Sequence, residues 1–122
     1  MTVGIDSVEI ERIEKIVSSR QSFLSRFFSE HENAEFSNRG YRAEHIAAAF
    51  AAKEAFSKAI GTGISGFELK DVSLLHYESG KPYLSFENTA LEIVKKSGLC
   101  FDVSITHTET TATAVVISFT GD

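Results

Sequence analysis

The 122-residue chain has one cysteine, one proline, one methionine and no tryptophan. A lone Cys100 excludes an intrachain disulfide, so the expected compartment is a reducing cytoplasm. Between Leu99 and Phe101 that cysteine reads as a packed apolar residue rather than a nucleophile. No apolar run approaches the roughly 20 residues of a membrane-spanning helix, and the N-terminus lacks the basic-then-apolar pattern of a secretion signal. Positive charge is also scarce. Twelve Lys and Arg against 17 Asp and Glu give a formal charge of −5, which argues against sequence-independent nucleic-acid binding. No repeat, linker or low-complexity stretch is visible, and the length suits one domain over residues 1–122 with a single ordinary core.

What the chain does have is an Ala-rich helix carrying charge. Phe50-Ala51-Ala52-Lys53-Glu54-Ala55-Phe56-Ser57-Lys58-Ala59-Ile60 contains only residues compatible with a helix, and the pattern reaches back to about Ala43. Gly61-Thr62-Gly63 closes it with the positive-φ freedom a helix end requires. Ala47, Phe50, Ala51, Glu54 and Lys58 share one stripe at three- and four-residue spacing. By itself, Glu54 with Lys58 reads most simply as a solvated i, i+4 pair worth a few tenths of a kcal/mol.

Around this helix the periodicity predicts an α+β fold: an antiparallel sheet packed with one long and several short helices. Thr2–Asp6 reads as a short strand with Val3 and Ile5 on one face and Gly4 and Asp6 on the other. An amphipathic helix marked by Ile10, Ile13, Ile16 and Val17 follows from Ser7 to about Ser18. Short helical pieces are expected around Phe23–Phe28 and from Ser29 to Ser37, and Asn38-Arg39-Gly40 breaks the chain before the Ala-rich helix. Residues 69–77 and 83–86 read as strands about a Ser79-Gly80-Lys81-Pro82 turn, and Thr89–Lys96 as a helix capped by Gly98. Residues 101–106 and 112–119 read as a largely buried β-hairpin linked through His107–Thr111.

Asp6, with Glu9 three residues on, fits an N-cap and its capping-box partner. A carboxylate at a strand end also suits a hard cation, with Glu54 as second ligand if the long helix packs beside the first strand. His107 among threonines is either an exposed loop residue or a phosphate or proton handler. Gly80 with Lys81 is a hairpin turn, or a turn whose backbone and cation approach a phosphorylated ligand. Residues 12–28 hold Arg12, Lys15, Arg20 and Arg26 against Glu14 alone, either a solvated face or a docking surface for an acidic partner.

Taken together, Val3-Gly4-Ile5-Asp6 with Glu9 and Arg12, the Phe50–Gly63 run, Gly80-Lys81-Pro82 and Val103-Ser104-Ile105-Thr106-His107-Thr108 resemble the holo-[acyl-carrier-protein] synthase family of small 4′-phosphopantetheinyl transferases. The resemblance implies a homotrimer with active sites in clefts between subunits. It implies Mg²⁺-dependent transfer of the phosphopantetheine arm of coenzyme A to a serine of apo acyl carrier protein, in fatty acid biosynthesis, releasing adenosine 3′,5′-bisphosphate. Asp6 and Glu54 would then hold the metal, with Glu54 and Lys58 catalytic and Lys58 near the pyrophosphate. Gly80, Lys81, Pro82, Thr106 and His107 would bind coenzyme, and Arg12, Arg20 and Arg26 would form the carrier-protein face. Two positions depart from the family pattern: Ala48-Ala49 stand where many members carry Arg or Trp beside Phe50, and only Gly4 remains of a usual Gly-x-Gly. The alternatives are a non-catalytic coenzyme A or carrier-protein binding module, which would not require the Asp6–Glu54 pair, and a structural subunit of a larger synthase. The chain's length and Met1 start favour a free-standing enzyme over the latter.

Overall fold

The Ala-rich segment forms the spine on which everything else packs. A computed structural model describes residues 1–61 and 66–121, so the Thr62–Gly63 part of the expected turn lies outside the described residues. In chain order the elements are β1 (Thr2–Glu9), α1 (Ile10–Ser19), α2 (Phe23–Phe27), α3 (Glu30–Asn38), α4 (Ala43–Ile60), a 3-10 turn (Leu69–Asp71), β2 (Val72–His76), β3 (Pro82–Phe86), α5 (Asn88–Ser97), β4 (Leu99–His107) and β5 (Thr111–Thr120). The strands form two antiparallel sheets instead of the single one expected: β1-β5-β4, and the separate hairpin β2-β3. Residues 69–71, expected as strand, make the 3-10 turn that carries the chain into β2.

Helix α4 begins at Ala43 and ends at Gly61, whose left-handed φ of 83° supplies the expected stop. Its inward side is mostly methyl groups: Ala47, Ala51, Ala52 and Ala55 are fully buried. Small side chains let a strand backbone lie directly on the helix, and β1 does so through Gly4, which is also buried. A Cβ at Gly4 would fall well inside the van der Waals shell of the Ala55 carbonyl oxygen and 2.8 Å from Ala59 N. Thr2 fastens the strand's start by donating its hydroxyl to the Ala59 carbonyl at 2.6 Å.

β1 runs three residues further than the sequence suggests, because its ladder with β5 continues from Thr2↔Ser118 to Glu9↔Thr111. Asp6 therefore lies in mid-strand and is not an N-cap. The residue before α1 is Glu9, whose side chain makes no capping bond. The last hairpin is less buried than expected. Ala112, Ala114, Val116 and Ser118 of β5 are fully buried, while Val115 and Ile117 on its other face are only half-buried. Cys100 likewise falls on the open side of β4 and is exposed, contrary to its apolar neighbours. Val3 and Ile5 share this outer face and pair directly with Ile117 and Val115. They are 63% and 56% exposed, leaving a strip of aliphatic side chains in solvent.

Candidate active site

Gly4 sets the geometry of the site. Because it brings β1 into contact with α4, Asp6, two residues on and on the same strand face, arrives beside the helix turn that bears Glu54 and Lys58. Lys58 does not pair with Glu54, as its helical spacing suggests; its ammonium donates instead to the Ile5 carbonyl at 2.8 Å and to Asp6 Oδ1 at 3.3 Å. The side chains of Asp6 and Lys58 are 21% and 54% exposed, so the pair sits at a rim with access to solvent. Glu54 is half-buried. Its carboxyl is held above the usual carboxylate range, by burial first and by the Asp6 charge second, with Lys58 pulling the other way.

Asp6 and Glu54 line a cavity of about 380 Å³, together with Arg12 and the apolar Ile13, Phe23 and Phe50. The lining therefore combines apolar side chains with the carboxylates of Asp6, Glu9 and Glu54 and the Arg12 guanidinium. Arg12, expected on the carrier-protein docking face, is exposed and also lines this cavity. Arg20 follows the last residue of α1, and Arg26 lies in α2 with its guanidinium 5.5 Å from the Phe27 ring centroid; neither lines the cavity.

The remaining site candidates lie elsewhere on the chain. His107 ends β4, exposed, beside a second cavity of about 430 Å³ lined by Ile10, Arg42, Glu44 and Thr108. Thr106, one residue earlier on β4, is also exposed. Gly80 (φ 92°) and Lys81 form the tip of the β2-β3 hairpin, where Gly80 N donates to the Tyr77 carbonyl and Tyr77 N to the Lys81 carbonyl. Asp6, Arg12, Glu54 and Lys58 come together on one chain; Thr106, His107 and the Gly80-Lys81-Pro82 turn do not join them.

Among the described residues no group of three or more His, Cys, Asp or Glu is arranged to hold a metal ion. The Asp6–Glu54 pair is a different donor set. Two carboxylates facing one cavity, with burial making the charge on Glu54 unfavourable, suit a hard divalent cation that completes its shell with water and phosphate oxygens. Sequence reasoning missed the apolar lining from Phe23 and the buried partner of Lys53. The second had a visible signal in the capping-box spacing Ser29-x-x-Glu32, which orients Glu32 at the start of α3.

The family model of the 4′-phosphopantetheinyl transferase superfamily matches residues 2–115, a span that includes every site residue named above. The chain belongs to that superfamily. A holo-[acyl-carrier-protein] synthase of Treponema denticola is 45% identical over 117 residues, covering 94% of each chain. The Helicobacter pylori holo-[acyl-carrier-protein] synthase in complex with coenzyme A superposes with a TM-score of 0.82 at 31% identity, over 96% of this chain and 99% of that one. The Neisseria meningitidis holo-[acyl-carrier-protein] synthase does so with a TM-score of 0.88 at 30% identity, over 97% of each chain. These superfamily relatives match this chain nearly end to end, so the cavity between β1 and α4 lies within the shared fold.

Proposed function

We propose that this superfamily member is a holo-[acyl-carrier-protein] synthase, a single transferase domain that moves 4′-phosphopantetheine from coenzyme A to a serine of apo acyl carrier protein. What supports the reading is a cavity lined by Asp6, Glu54 and Arg12, with Lys58 bonded to Asp6 beside it. In the reaction the serine Oγ attacks the phosphorus nearest pantetheine, the bond from that phosphorus to the bridging oxygen breaks, and adenosine 3′,5′-bisphosphate leaves. Negative charge grows on phosphoryl oxygens, so fixed cations aimed at them lower the barrier. Lys58 supplies one such cation and Arg12 a second. A Mg²⁺ ion held by Asp6 and Glu54 would supply the Lewis-acid part of the same stabilisation. The serine proton must also leave, and Glu54, whose proton affinity burial raises, is the cavity group suited to take it. The decisive experiment is the mass of an apo carrier protein before and after incubation with this protein, coenzyme A and Mg²⁺. A gain of one phosphopantetheine is expected; an unchanged mass overturns the reading. No helix of the described residues is long and apolar enough to cross a membrane, and we place the enzyme in the cytoplasm, serving the carrier protein of fatty acid synthesis.

The active unit in this reading is a homotrimer. The strip formed by Val3, Ile5, Val115 and Ile117 is the apolar surface available for a contact between copies. Val116, between Val115 and Ile117, is buried against the chain's own core and takes no part in this strip. Assembly also gives Thr106, His107 and the Gly80-Lys81-Pro82 turn a use: they lie away from Asp6 on their own chain, but a neighbouring copy can present them to its cleft as coenzyme-binding groups. Light scattering should give three times the chain mass, and Ile117→Glu should yield inactive monomer. Mixing Glu54→Ala with His107→Ala protein should create, in hybrid trimers, sites with the wild-type Michaelis constant for coenzyme A; absence of such sites would put both residues in one subunit's site.

Two kinetic predictions follow from the placement of Lys58 and His107. Lys58→Ala should lower the turnover number, costing about 2–4 kcal/mol of transition-state stabilisation. His107→Ala should chiefly raise the Michaelis constant for coenzyme A. Unchanged turnover per folded molecule with a lower Tm would leave Lys58 as a structural tie between β1 and α4.

Carrier-protein docking should depend on Arg20 and Arg26, which with Arg12 give residues 12–28 their positive balance. Reversing both charges should raise the Michaelis constant for carrier protein more than that for coenzyme A. Added salt should act in the same direction, since exposed attraction is screened beyond about 8 Å at physiological ionic strength. A carrier-protein constant indifferent to both changes would move the docking face elsewhere.

A further inference from the structure

One charged pair in the core has no part in the chemistry above. Lys53 and Glu32 are both fully buried. Lys53 Nζ meets Glu32 Oε1 at 2.5 Å, donates to the Leu69 carbonyl at 3.1 Å and to the Val72 carbonyl, and lies 5.0 Å from the Phe28 ring centroid. Glu32 in turn accepts from Ser29 N and Leu74 N, each at 3.0 Å. One ammonium on α4 is thus held from two sides, by α3 and by the 3-10 turn with the start of β2.

Stability is a poor reason for such a pair. Burial pushes the Glu32 carboxyl up and the Lys53 ammonium down, each countered by the other. Well-packed apolar residues of similar volume often stabilise a core as well or better. What apolar residues do not supply is a directional bond, and Lys53 makes such bonds from α4 to the side of the molecule opposite the ties that Thr2 and Lys58 make between β1 and α4. Among the described residues, Lys53 is the only long side chain fully buried between Ile46 and Phe56; the other buried positions in that stretch are alanines. Phe50 packs against Phe23 and Phe28, and Phe56 against Phe67, Phe86 and Phe101, but these apolar contacts carry no directional bond, whereas Lys53 adds directional bonds immediately beside Glu54. Glu54 is the next residue, about 100° further round the helix, so whatever fixes Lys53 fixes the bearing of Glu54.

We propose that Lys53 is a positioning residue: its buried ammonium, held by Glu32 and by the Leu69 and Val72 carbonyls, locks the rotation of α4 that turns Glu54 toward Asp6. The inference rests on the reading of Asp6 and Glu54 as the cation-holding pair. It separates two properties that a simple core ion pair would keep together, namely thermal stability and the quality of the site.

Two variants test it. Glu32→Asp keeps the charge but draws the anchor back by one methylene. Turnover per folded molecule should fall by about tenfold to a hundredfold, the range expected when a reacting group is misplaced by about 1 Å. The Michaelis constant for coenzyme A should hold, while affinity for Mn²⁺ added alone, read by electron paramagnetic resonance, should weaken in parallel with turnover. The double variant Glu32→Leu with Lys53→Met should recover the wild-type Tm or exceed it, yet keep the low turnover and weak Mn²⁺ binding. Wild-type turnover and Mn²⁺ affinity in either folded variant would overturn the proposal and leave the pair as a core element. If the unsubstituted protein transfers no phosphopantetheine, it is the functional reading that has failed, and the Mn²⁺ measurement still decides the positioning role.

Discussion

Asp6→Ala and Glu54→Ala should each reduce phosphopantetheine transfer by on the order of 10²–10³-fold, the loss seen when one preorganised charge-stabilising group is removed from a transition state. The two side chains reach one cavity from different elements, Asp6 from mid-β1 and Glu54 from α4, so neither can stand in for the other. The fold should not suffer equally. Glu54 has its carboxyl held above the usual range by burial and by Asp6. For an acid shifted up, the stability it contributes is present below its ordinary pKa and is lost as pH rises through the folded value. At neutral pH its ionised form is therefore a burden on the folded state. Glu54→Gln, which mimics the protonated form, should keep or slightly raise Tm while abolishing transfer. Divalent cation should raise the Tm of the wild type, through preferential binding to the native state, and leave the variants unmoved. A Glu54→Gln protein with wild-type turnover, or one stabilised by Mg²⁺ as strongly as the wild type, would remove the cation-holding role from this pair.

How far the sequence reached is clearest at three residues. Helix α4 was legible from Ala43 to Gly61 because composition, stripe and terminal glycine all favour it locally. Asp6 was misplaced. Asp6-Ser7-Val8-Glu9 followed by Ile10, Ile13 and Ile16 has the form of a capped amphipathic helix, yet the chain stays extended to Glu9 because β5 pairs with it along its full length. That pairing joins residues more than 100 positions apart, and no local period announces it. The pairing of Lys53 was hidden for the same reason, although the capping-box spacing Ser29-x-x-Glu32 marked its partner's place at the start of α3. On a charged helix Lys53 passes for a solvent-facing lysine, and only the fold brings Glu32, 21 residues earlier, to meet it. Val3 and Ile5 show the converse: alternation puts them on one face, but which face meets the core was decided by Gly4, whose missing side chain lets the β1 backbone lie on the α4 backbone. The local elements were in the sequence; the contacts that aim the site were tertiary.

Among the described residues, Gly4→Ala should be the most damaging glycine-to-alanine change. The glycine's backbone lies in an ordinary extended conformation, so alanine meets no φ, ψ penalty and the whole effect is steric. The added Cβ would meet the Ala55 carbonyl oxygen and Ala59 N, both backbone atoms of a helix interior that cannot turn aside as a side-chain tip can. Either β1 lifts from α4 or α4 bends, and overpacking of this kind costs about 3 kcal/mol or more when the neighbour is rigid. Gly80→Ala is the useful contrast. Nothing lies within 4 Å of its added Cβ, but its φ is 92°, so its cost is backbone strain of about 1–3 kcal/mol with no displacement of the site. The two variants should therefore part company in function. Gly4→Ala should lose transfer even where it remains folded, because Asp6 moves away from Glu54 with its strand, whereas Gly80→Ala should keep Mn²⁺ binding at the Asp6–Glu54 pair. Urea unfolding at unchanged m-value measures the first difference and Mn²⁺ titration the second. Trimming the facing residue with Ala55→Gly should not rescue Gly4→Ala, since the obstruction is the carbonyl and not the methyl. Rescue by that second change, or a Gly4→Ala protein within about 1 kcal/mol of the wild type, would mean that β1 and α4 are not pressed together as tightly as the site requires.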